Sequence, residues 1–287
     1  MSVFPSPVPP SAIITKLRAA GCVFAEDEAE LLISTARTPD ELATMVDQRV
    51  AGLPLEHVLG WAEFCGLRIA VDPEVFVPRR RTEFLIDQAE AAALSLPSPT
   101  VILDLCCGTG AMGAALAAAL NKRAALGKRA ATGKRAATDK EGVELHAADL
   151  HPAAVRCARR NLTPIGGQVY EGDLYEPLPA TLRSRVDILI ASPPYVPTEA
   201  IRLLPSEARV HEPLVALDGG ADGLDVVRRV IAAAPAWLAP GGHLLVETSE
   251  RQAPRTAEDM AAAGLTPRVA ASEDRYATVV IGTRPTE

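Results

Sequence analysis

The stretch that decides the fold is Val101-Ile102-Leu103-Asp104-Leu105-Cys106-Cys107-Gly108-Thr109-Gly110. Its first five residues predict a buried strand, its glycines predict a tight turn, and the small residues from Ala111 to about Leu120 predict a helix that starts at the turn. A strand, a glycine turn and a helix N-terminus form a cradle for a nucleotide-like ligand, because glycines let a ligand approach the backbone closely. We therefore expect a ligand site at the carboxyl end of this strand.

The same turn also fits the dinucleotide pattern GxGxxG, from Gly108 to Gly113. The acid at Asp104, ahead of the glycines, argues against a dinucleotide because it would lie beside a pyrophosphate. It suits a ligand with a cationic amino-acid end, such as S-adenosylmethionine, which carries an ammonium and a sulfonium group. A dinucleotide site would also require the segment after the helix, residues 121–140, to loop out. Only then is the number of residues between the glycine turn and Asp149 the usual one for such a site.

Two further acids follow the ends of predicted strands. Asp149 follows strand 143–148 and is placed to accept ribose hydroxyls, although an acid here also occurs in NAD sites or could cap the next helix. Asp173 follows strand 168–171, where it can accept an adenine amino group while Leu174 packs on the ring. Each acid alone could be a solvated loop residue, but their order along the chain favours an S-adenosylmethionine site.

The tetrapeptide Ser192-Pro193-Pro194-Tyr195 follows the apolar run 186–191. A strand that ends in this pattern is suited to methylating a planar nitrogen, which is a poor nucleophile because its lone pair is delocalised. The prolines stiffen the chain and leave a carbonyl, at Pro193, that can accept one N–H while the side chain of Ser192 accepts the other. Tyr195 would pack on the flat group, so catalysis comes from orientation and fixed dipoles rather than from a strong base. The alternative is a simple Pro-Pro turn.

Hydrophobic periodicity predicts three N-terminal helices, a β-hairpin and then an alternation of strands and helices. The predicted helices are 11–20, 26–36, 39–50, 82–95, 110–120, 152–161, 223–237 and 251–263; the hairpin spans 58–77, and the strands are 100–105, 143–148, 168–171, 186–191, 242–248, 268–272 and 276–283. This alternation is typical of a mostly parallel sheet with helices on both faces, which binds ligands at the carboxyl ends of its strands. The last strand is expected to be antiparallel.

Composition restricts the classes of function. The chain has 287 residues and a formal net charge of −7, which disfavours nucleic acid as the partner. Its five cysteines show no metal-binding spacing and its sequence contains no run long enough to span a membrane, so we expect a cytoplasmic protein without a metal. Residues 1–10 predict a loose Pro-rich tail, and the six-residue repeat within 121–141 predicts a disordered basic loop.

These motifs, in this order, resemble the protein-(glutamine-N5) methyltransferases of the HemK/PrmC type, over roughly residues 53–284. The similarity includes Val77-Pro78-Arg79-Arg80-Arg81-Thr82-Glu83, the turn 104–110, the segment Arg209-Val210-His211-Glu212-Pro213 and the run 219–224. The family has Asn where this chain has Ser192, usually Gly where it has Cys106, and Pro where it has Arg80. The resemblance implies a Rossmann-like class I methyltransferase domain with a seven-stranded sheet, preceded by a small helical domain that engages the protein substrate.

The resemblance also implies roles for individual residues. A protein glutamine, in a translation release factor or another protein, would be bound and methylated at Ser192, Pro193, Pro194 and Tyr195, with Arg79 and Glu212 shaping the substrate wall. S-adenosylmethionine would be bound by Asp104, Cys106, Gly108, Thr109, Gly110, Asp149, Leu150, Asp173, Leu174 and Ser192. The expected domains are a helical substrate-recognition domain at 11–55, a β-hairpin linker at 56–80 and the methyltransferase domain at 81–287.

Two alternatives remain open at this stage. Ser-Pro-Pro-Tyr is also the form found in methyltransferases that act on the cytosine amino group of DNA, which must flip a base and grip phosphates. The chain could also be a module that keeps the cofactor pocket but has lost catalysis at Ser192.

Overall fold

A computed structural model of the chain describes residues 9–96, 99–130 and 142–286, without the side chains of residues 127–130. Residues 1–8 of the expected tail and residues 131–141 of the expected basic loop therefore lie outside the described residues. The first helix begins at Pro10, so the tail prediction is wrong for its last residue.

The N-terminal region is built from helices that share their own apolar core. They are α1 Pro10–Ala19, α2 Ala25–Thr35, α3 Pro39–Val50 and the short α4 Leu55–Leu59. The side chain of Thr38 accepts from the backbone N–H of Glu41 at 3.1 Å, which fixes the start of α3. The buried residues common to these helices include Ile13, Leu17, Leu32, Leu42, Met45 and Val46.

The predicted hairpin is shorter than expected. Its strands are β1 Trp61–Phe64 and β2 Leu67–Ala70, and α4 occupies the start of the range predicted as hairpin. Gly60, at φ 75°, ends α4. Cys65 and Gly66 both have positive φ, at 49° and 72°, as a two-residue turn between antiparallel strands requires.

The rest of the chain forms a seven-stranded sheet with helices on both faces. Its elements are α5 Glu83–Ala92, β3 Thr100–Leu105, α6 Ala111–Ala130, β4 Val143–Asp149, α7 Pro152–Leu162, β5 Gln168–Glu171, β6 Val186–Ala191, α8 Ser206–His211, α9 Asp225–Ala233, β7 Leu238–Thr248, α10 Ala253–Ala262, β8 Thr266–Ser272 and β9 Ala277–Thr283. The strand order is β5-β4-β3-β6-β7-β9-β8, with β3 to β7 parallel and β9 antiparallel to both of its neighbours. This is the Rossmann-like class I methyltransferase fold, so the predicted fold class and antiparallel last strand are confirmed.

Two features of these elements correct the prediction. Helix α6 extends to Ala130, so residues 121–130, predicted to belong to a loop, are helical. Alanine, lysine and arginine are strong helix formers, and Arg123 donates to the carbonyl of Ala93 at 2.8 Å, which ties this extension to the domain. Helix α8 had no predicted counterpart because it has only six residues.

Alternating side chains of the central strands divide the core into two layers. Ile102 and Ile188 belong to one buried cluster, whereas Leu103 and Leu189 belong to the other. The strand order reverses at β3, which pairs with β4 on one side and β6 on the other. A crevice forms outside the carboxyl ends of strands at such a switch point, and here it lies between the glycine turn after β3 and Ser192 after β6.

Candidate active site

Two cavities meet at the switch point. The first, called here the cofactor cleft, has a volume of about 1040 Å³ and lies over the ends of β3, β4 and β5. The second, called the substrate cavity, has a volume of about 790 Å³ and is covered by the segment 204–217. Both are lined by Phe76, Arg79, Ser192 and Ala216. Ser192 therefore stands where groups bound in the two cavities would touch.

The glycine turn brings the backbone to the wall of the cofactor cleft. Cys106, Gly108 and Gly110 have φ values of 54°, 54° and 76°. A Cβ on Gly110 would lie 2.8 Å from Leu162, so close packing against α7 also demands glycine there. Cys106 adopts the left-handed conformation although it carries a side chain, at a cost of about 1 kcal/mol. Burial raises the pKa of its thiol well above the usual value, which keeps this cysteine neutral.

Asp104 lies behind the turn rather than on the wall of the cleft. It is fully buried, and its Oδ2 accepts from the backbone N–H of Gly113 at 2.9 Å. Its Oδ1 has no hydrogen-bond partner in the described part of the chain. Burial raises the pKa of this carboxyl to about 8. Asp104 thus supports the start of α6, and the structure does not bring it into contact with the cleft as the sequence predicted.

Asp149 lies on the wall of the cleft and joins β4 to the glycine turn. Its Oδ2 accepts from Gly108 N–H at 2.8 Å and its Oδ1 accepts from His151 N–H at 2.8 Å. Burial raises the pKa of this carboxyl, and the two backbone donors oppose that shift. Each oxygen keeps a lone pair for a further donor. Leu150, which follows, lines the same cleft with 54% of its surface exposed.

Asp173 and Leu174 line the far side of the cleft, together with a residue that the sequence did not reveal. Arg229, on α9, donates to Asp173 Oδ2 at 2.6 Å and lies on the same wall. Leu174 has φ 49°, which bends the chain around the end of the cleft. Arg229 was missed because α9 reads locally as an ordinary amphipathic helix.

The cleft suits a nucleoside with a cationic tail, such as S-adenosylmethionine. Two buried polar atoms next to it lack partners: Asp104 Oδ1, under the turn, and His151 Nδ1, from a residue on the cleft wall. Carboxylates from Asp149 and Asp173 face the cleft at the ends of successive strands. Acceptors of this kind match ribose hydroxyls, an adenine amino group and an ammonium group.

One end of the substrate cavity is lined by Ser192, Pro193 and Tyr195. Pro194 faces the cofactor cleft instead. The phenol of Tyr195 is held from two sides. It accepts from Arg81 Nη2 at 2.7 Å and donates to Glu247 Oε1 at 3.0 Å. Burial raises the pKa of this phenol well above its usual value, so Tyr195 remains neutral.

The backbone of the tetrapeptide is also fixed from behind. Gln252, on the N-terminal side of α10, donates from Nε2 to the carbonyls of Tyr195 and Asp222, at 3.0 and 2.9 Å. A Cβ on Gly219 would lie 2.6 Å from the Pro194 oxygen, and one on Gly223 would lie 2.3 Å from the Tyr195 oxygen. The run 219–224 therefore contains glycine because the tetrapeptide backbone packs directly on it.

Arg79 and Glu212 form an ion pair in the wall of the substrate cavity. Arg79 Nη2 lies 2.6 Å from both carboxylate oxygens, and Glu212 Oε1 also accepts from Val77 N–H at 3.1 Å. Burial raises the pKa of Glu212, while Arg79 opposes that shift. The neighbouring Arg81 does not share this carboxylate and pairs with Glu247 at 3.1 Å instead. His211 lines neither cavity.

The substrate cavity is connected to the N-terminal helices through Arg49. This buried arginine donates from Nε to Glu28 at 2.6 Å and from Nη1 to Glu207 at 2.7 Å. Glu207 belongs to α8 and lines the substrate cavity. The helical region thus contacts the active-site wall directly.

In 9–96, 99–130 and 142–286, no group of three or more histidine, cysteine or acidic side chains is arranged to hold a metal ion. No helix in those same ranges is long and apolar enough to cross a membrane.

Comparison with known proteins places the chain in a family. No family model matches it. A release factor glutamine methyltransferase from Geobacter sulfurreducens is 36% identical over 220 residues, which cover 75% of this chain and 68% of that protein. Proteins of the same name from Mycolicibacterium smegmatis and Moorella thermoacetica are 35% and 32% identical, over 81% and 83% of this chain and 75% and 83% of theirs. With its fold, paired cavities and tetrapeptide, this chain belongs to the release factor glutamine methyltransferase family.

Proposed function

We propose that the protein transfers a methyl group from S-adenosylmethionine to the side-chain N5 of a glutamine in a translation release factor. The observation that carries this proposal is the meeting of two cavities at Ser192, beside a carbonyl and a fixed aromatic ring. The bound cofactor supplies an electrophilic methyl on sulfur. The protein's task is to hold one amide nitrogen in line with that methyl.

In this proposal the tetrapeptide binds the amide. Ser192 Oγ accepts one N–H of the glutamine side chain and the Pro193 carbonyl accepts the other, so both protons point toward the protein and the lone pair turns toward the cofactor cleft. Tyr195 packs on the amide plane, and its ring is held by Arg81 and Glu247. Where the family has an asparagine, this chain has Ser192, whose hydroxyl on a shorter side chain would take the place of the amide oxygen as the acceptor.

The groups around the substrate cavity favour orientation over proton abstraction. Its two carboxylates are already paired, Glu212 with Arg79 and Glu207 with Arg49. The neutral phenol of Tyr195 is a poor base. When the nitrogen forms its new bond to carbon, the sulfur–methyl bond breaks, and the extra proton on nitrogen leaves to solvent. Such catalysis depends on positioning and preorganised dipoles.

Roles in the cofactor cleft follow from the same geometry. Asp149 accepts ribose hydroxyls with Leu150 alongside, and Asp173 and Leu174 contact the adenine. The turn that contains Cys106, Gly108, Thr109 and Gly110 lies along the methionine portion. Asp104 acts through the turn, because it is buried beneath it.

In this proposal, the N-terminal helical region and the methyltransferase domain both contact the protein substrate. Helices within 11–55 engage the release factor, the hairpin within 56–80 links them, and 81–287 carry out methylation. The contact of Arg49 with Glu207 supports this assignment, because it joins the helices to the cavity wall.

The proposal is tested by incubating the protein with methyl-labelled S-adenosylmethionine and a bacterial lysate, and then treating separate portions with nuclease and protease. Label that survives nuclease but not protease supports protein methylation. Label lost to nuclease alone would instead support methylation of a nucleic-acid amino group. Cofactor binding without label in either fraction would contradict catalysis on a macromolecule.

A further inference from the structure

A third depression lies on the other side of Tyr195 and has no part in the reaction described above. This acidic groove, open to solvent with a volume of about 1890 Å³, runs along the carboxyl end of β7 and the turn between β8 and β9. It shares Arg81, Tyr195, Val196 and Leu204 with the substrate cavity. The two depressions are therefore neighbours, separated by the Tyr195 ring and its partner Arg81.

The ionisable groups that line the groove are strongly biased toward negative charge. They comprise the four acids Glu247, Glu250, Glu273 and Asp274 against one cation, Arg81, a net charge of −3. Glu250, Glu273 and Asp274 are exposed, and none has an ion pair within the described parts of the chain. The nearby Arg275 does not neutralise them, because it pairs with Asp87 at 2.8 Å.

Glu247 adds an independent indication of a ligand. Its side chain is 4% exposed, and its Oε1 is occupied by Arg81 and Tyr195. Its Oε2 is buried and has no hydrogen-bond partner among the residues that the structure describes. A buried carboxylate oxygen without a donor is unfavourable, and Glu247 lines the acidic groove, so this side chain is suited to a ligand that brings an N–H group.

Resting on the proposed function, we propose that the acidic groove binds a lysine or arginine side chain of the protein substrate, close in sequence to the methylated glutamine. A glutamine bound at Ser192 must leave its backbone near the mouth of the substrate cavity. The shared wall at Tyr195 places the adjoining residues of that backbone over the groove. The cation interacts with Glu250, Glu273 and Asp274 and supplies a donor toward Glu247.

The test uses synthetic peptides that carry one glutamine and one lysine, placed at each offset within about six residues, which span roughly 20 Å when extended. Matched peptides carry acetyl-lysine, which keeps the shape but removes the charge. Both kcat/KM for methyl transfer and the Kd of each peptide are measured at low salt. At one or two neighbouring offsets the lysine peptide is expected to be favoured roughly fivefold over its acetylated match.

The triple variant Glu250→Gln, Glu273→Gln, Asp274→Asn should abolish this preference and leave the acetyl-lysine peptide unaffected. The control variant Glu90→Gln, Glu176→Gln, Glu258→Gln removes equal charge from exposed sites that do not line the groove and should retain the preference. Added salt should also reduce the preference.

The two readouts separate this inference from the proposed function. If no peptide is methylated but the lysine peptide still binds more tightly, and only the groove variant removes that difference, the groove assignment stands and glutamine methylation fails. Equal binding of lysine and acetyl-lysine peptides at every offset would overturn the groove assignment, whether or not methylation occurs. A preference that survives in the triple variant would overturn it as well.

Discussion

Replacing Gly219 by alanine should impair turnover while leaving cofactor binding intact. The new Cβ would lie 2.6 Å from the carbonyl oxygen of Pro194 and 2.6 Å from that of Gly223, about 0.8 Å closer than ordinary contact permits. Neither neighbour is a flexible side-chain end. Gly219 N–H also donates to Val196 O at 2.9 Å, so the glycine cannot simply move away from the segment that follows the tetrapeptide.

The expected loss of turnover follows from the backbone shift that would be needed to relieve this clash. A shift near 1 Å in groups that position a reacting atom can reduce the rate by about 100-fold, so we expect kcat to fall between about 10-fold and 100-fold. The assay measures kcat at saturating peptide and cofactor, together with the Kd of S-adenosylmethionine by calorimetry. The cofactor Kd should stay within about twofold, because the atoms nearest to the new Cβ, which belong to Pro194 and Gly223, are part of neither the glycine turn nor the strand-end acids.

A control separates misplacement from general destabilisation. Gly166→Ala introduces a side chain at φ 83° with open space around it, at a residue that lines neither cavity, and so costs backbone strain without a clash. It should lower the melting temperature without changing kcat. Full turnover by Gly219→Ala would refute the claim that the backbone position of the tetrapeptide determines the rate.

Three further predictions concern the cofactor cleft and the Tyr195 contacts. Asp149→Asn should weaken S-adenosylmethionine binding by roughly tenfold or more in calorimetry, because a charge-assisted acceptor is lost; an unchanged Kd would contradict its proposed role. Tyr195→Phe should lower kcat/KM about threefold to tenfold and Tyr195→Ala considerably more, both with cofactor affinity unchanged; equal losses of turnover and cofactor affinity would contradict that separation. Burial raises the pKa of Asp104 to about 8 against an ordinary 3.8, so between these values the folded state holds a proton that the unfolded state has released, and the stability that this gives is lost progressively as pH rises from 3.8 to about 8. Urea midpoints of the native protein should therefore fall between pH 5 and pH 8 and level off above pH 8, and those of Asp104→Asn should fall less; parallel declines would show that Asp104 is not the group responsible.

The sequence predicted those parts of the fold that depend on local pattern. Buried strands such as 100–105 and 186–191 appear as apolar runs that end in turn residues, and the structure places them at the predicted positions. Local pattern failed where short elements or helix propensity decided the outcome. Helix α4 was assigned to the hairpin, and the basic repeat was not recognised as an extension of α6 although its residues are good helix formers.

The candidate site was predictable to the extent that each residue lies at a strand end. Asp149, Asp173 and Ser192 follow successive strands and line the cleft for that reason. Contacts between distant segments were not predictable: Gln252 fixes the Tyr195 backbone from 57 residues away, and Glu247 holds its phenol from 52 residues away. Asp104 has the expected residue type and position along the strand, but its side chain turns beneath the helix instead of into the cleft.

The central claim is tested most directly with the purified protein, methyl-labelled S-adenosylmethionine and a purified bacterial release factor, followed by mass spectrometry of the labelled protein. We predict one methyl group on the side-chain nitrogen of a single glutamine, and no label when that glutamine is replaced by alanine. A methyl group on any other residue type, or an unlabelled release factor despite measured cofactor binding, would contradict the account.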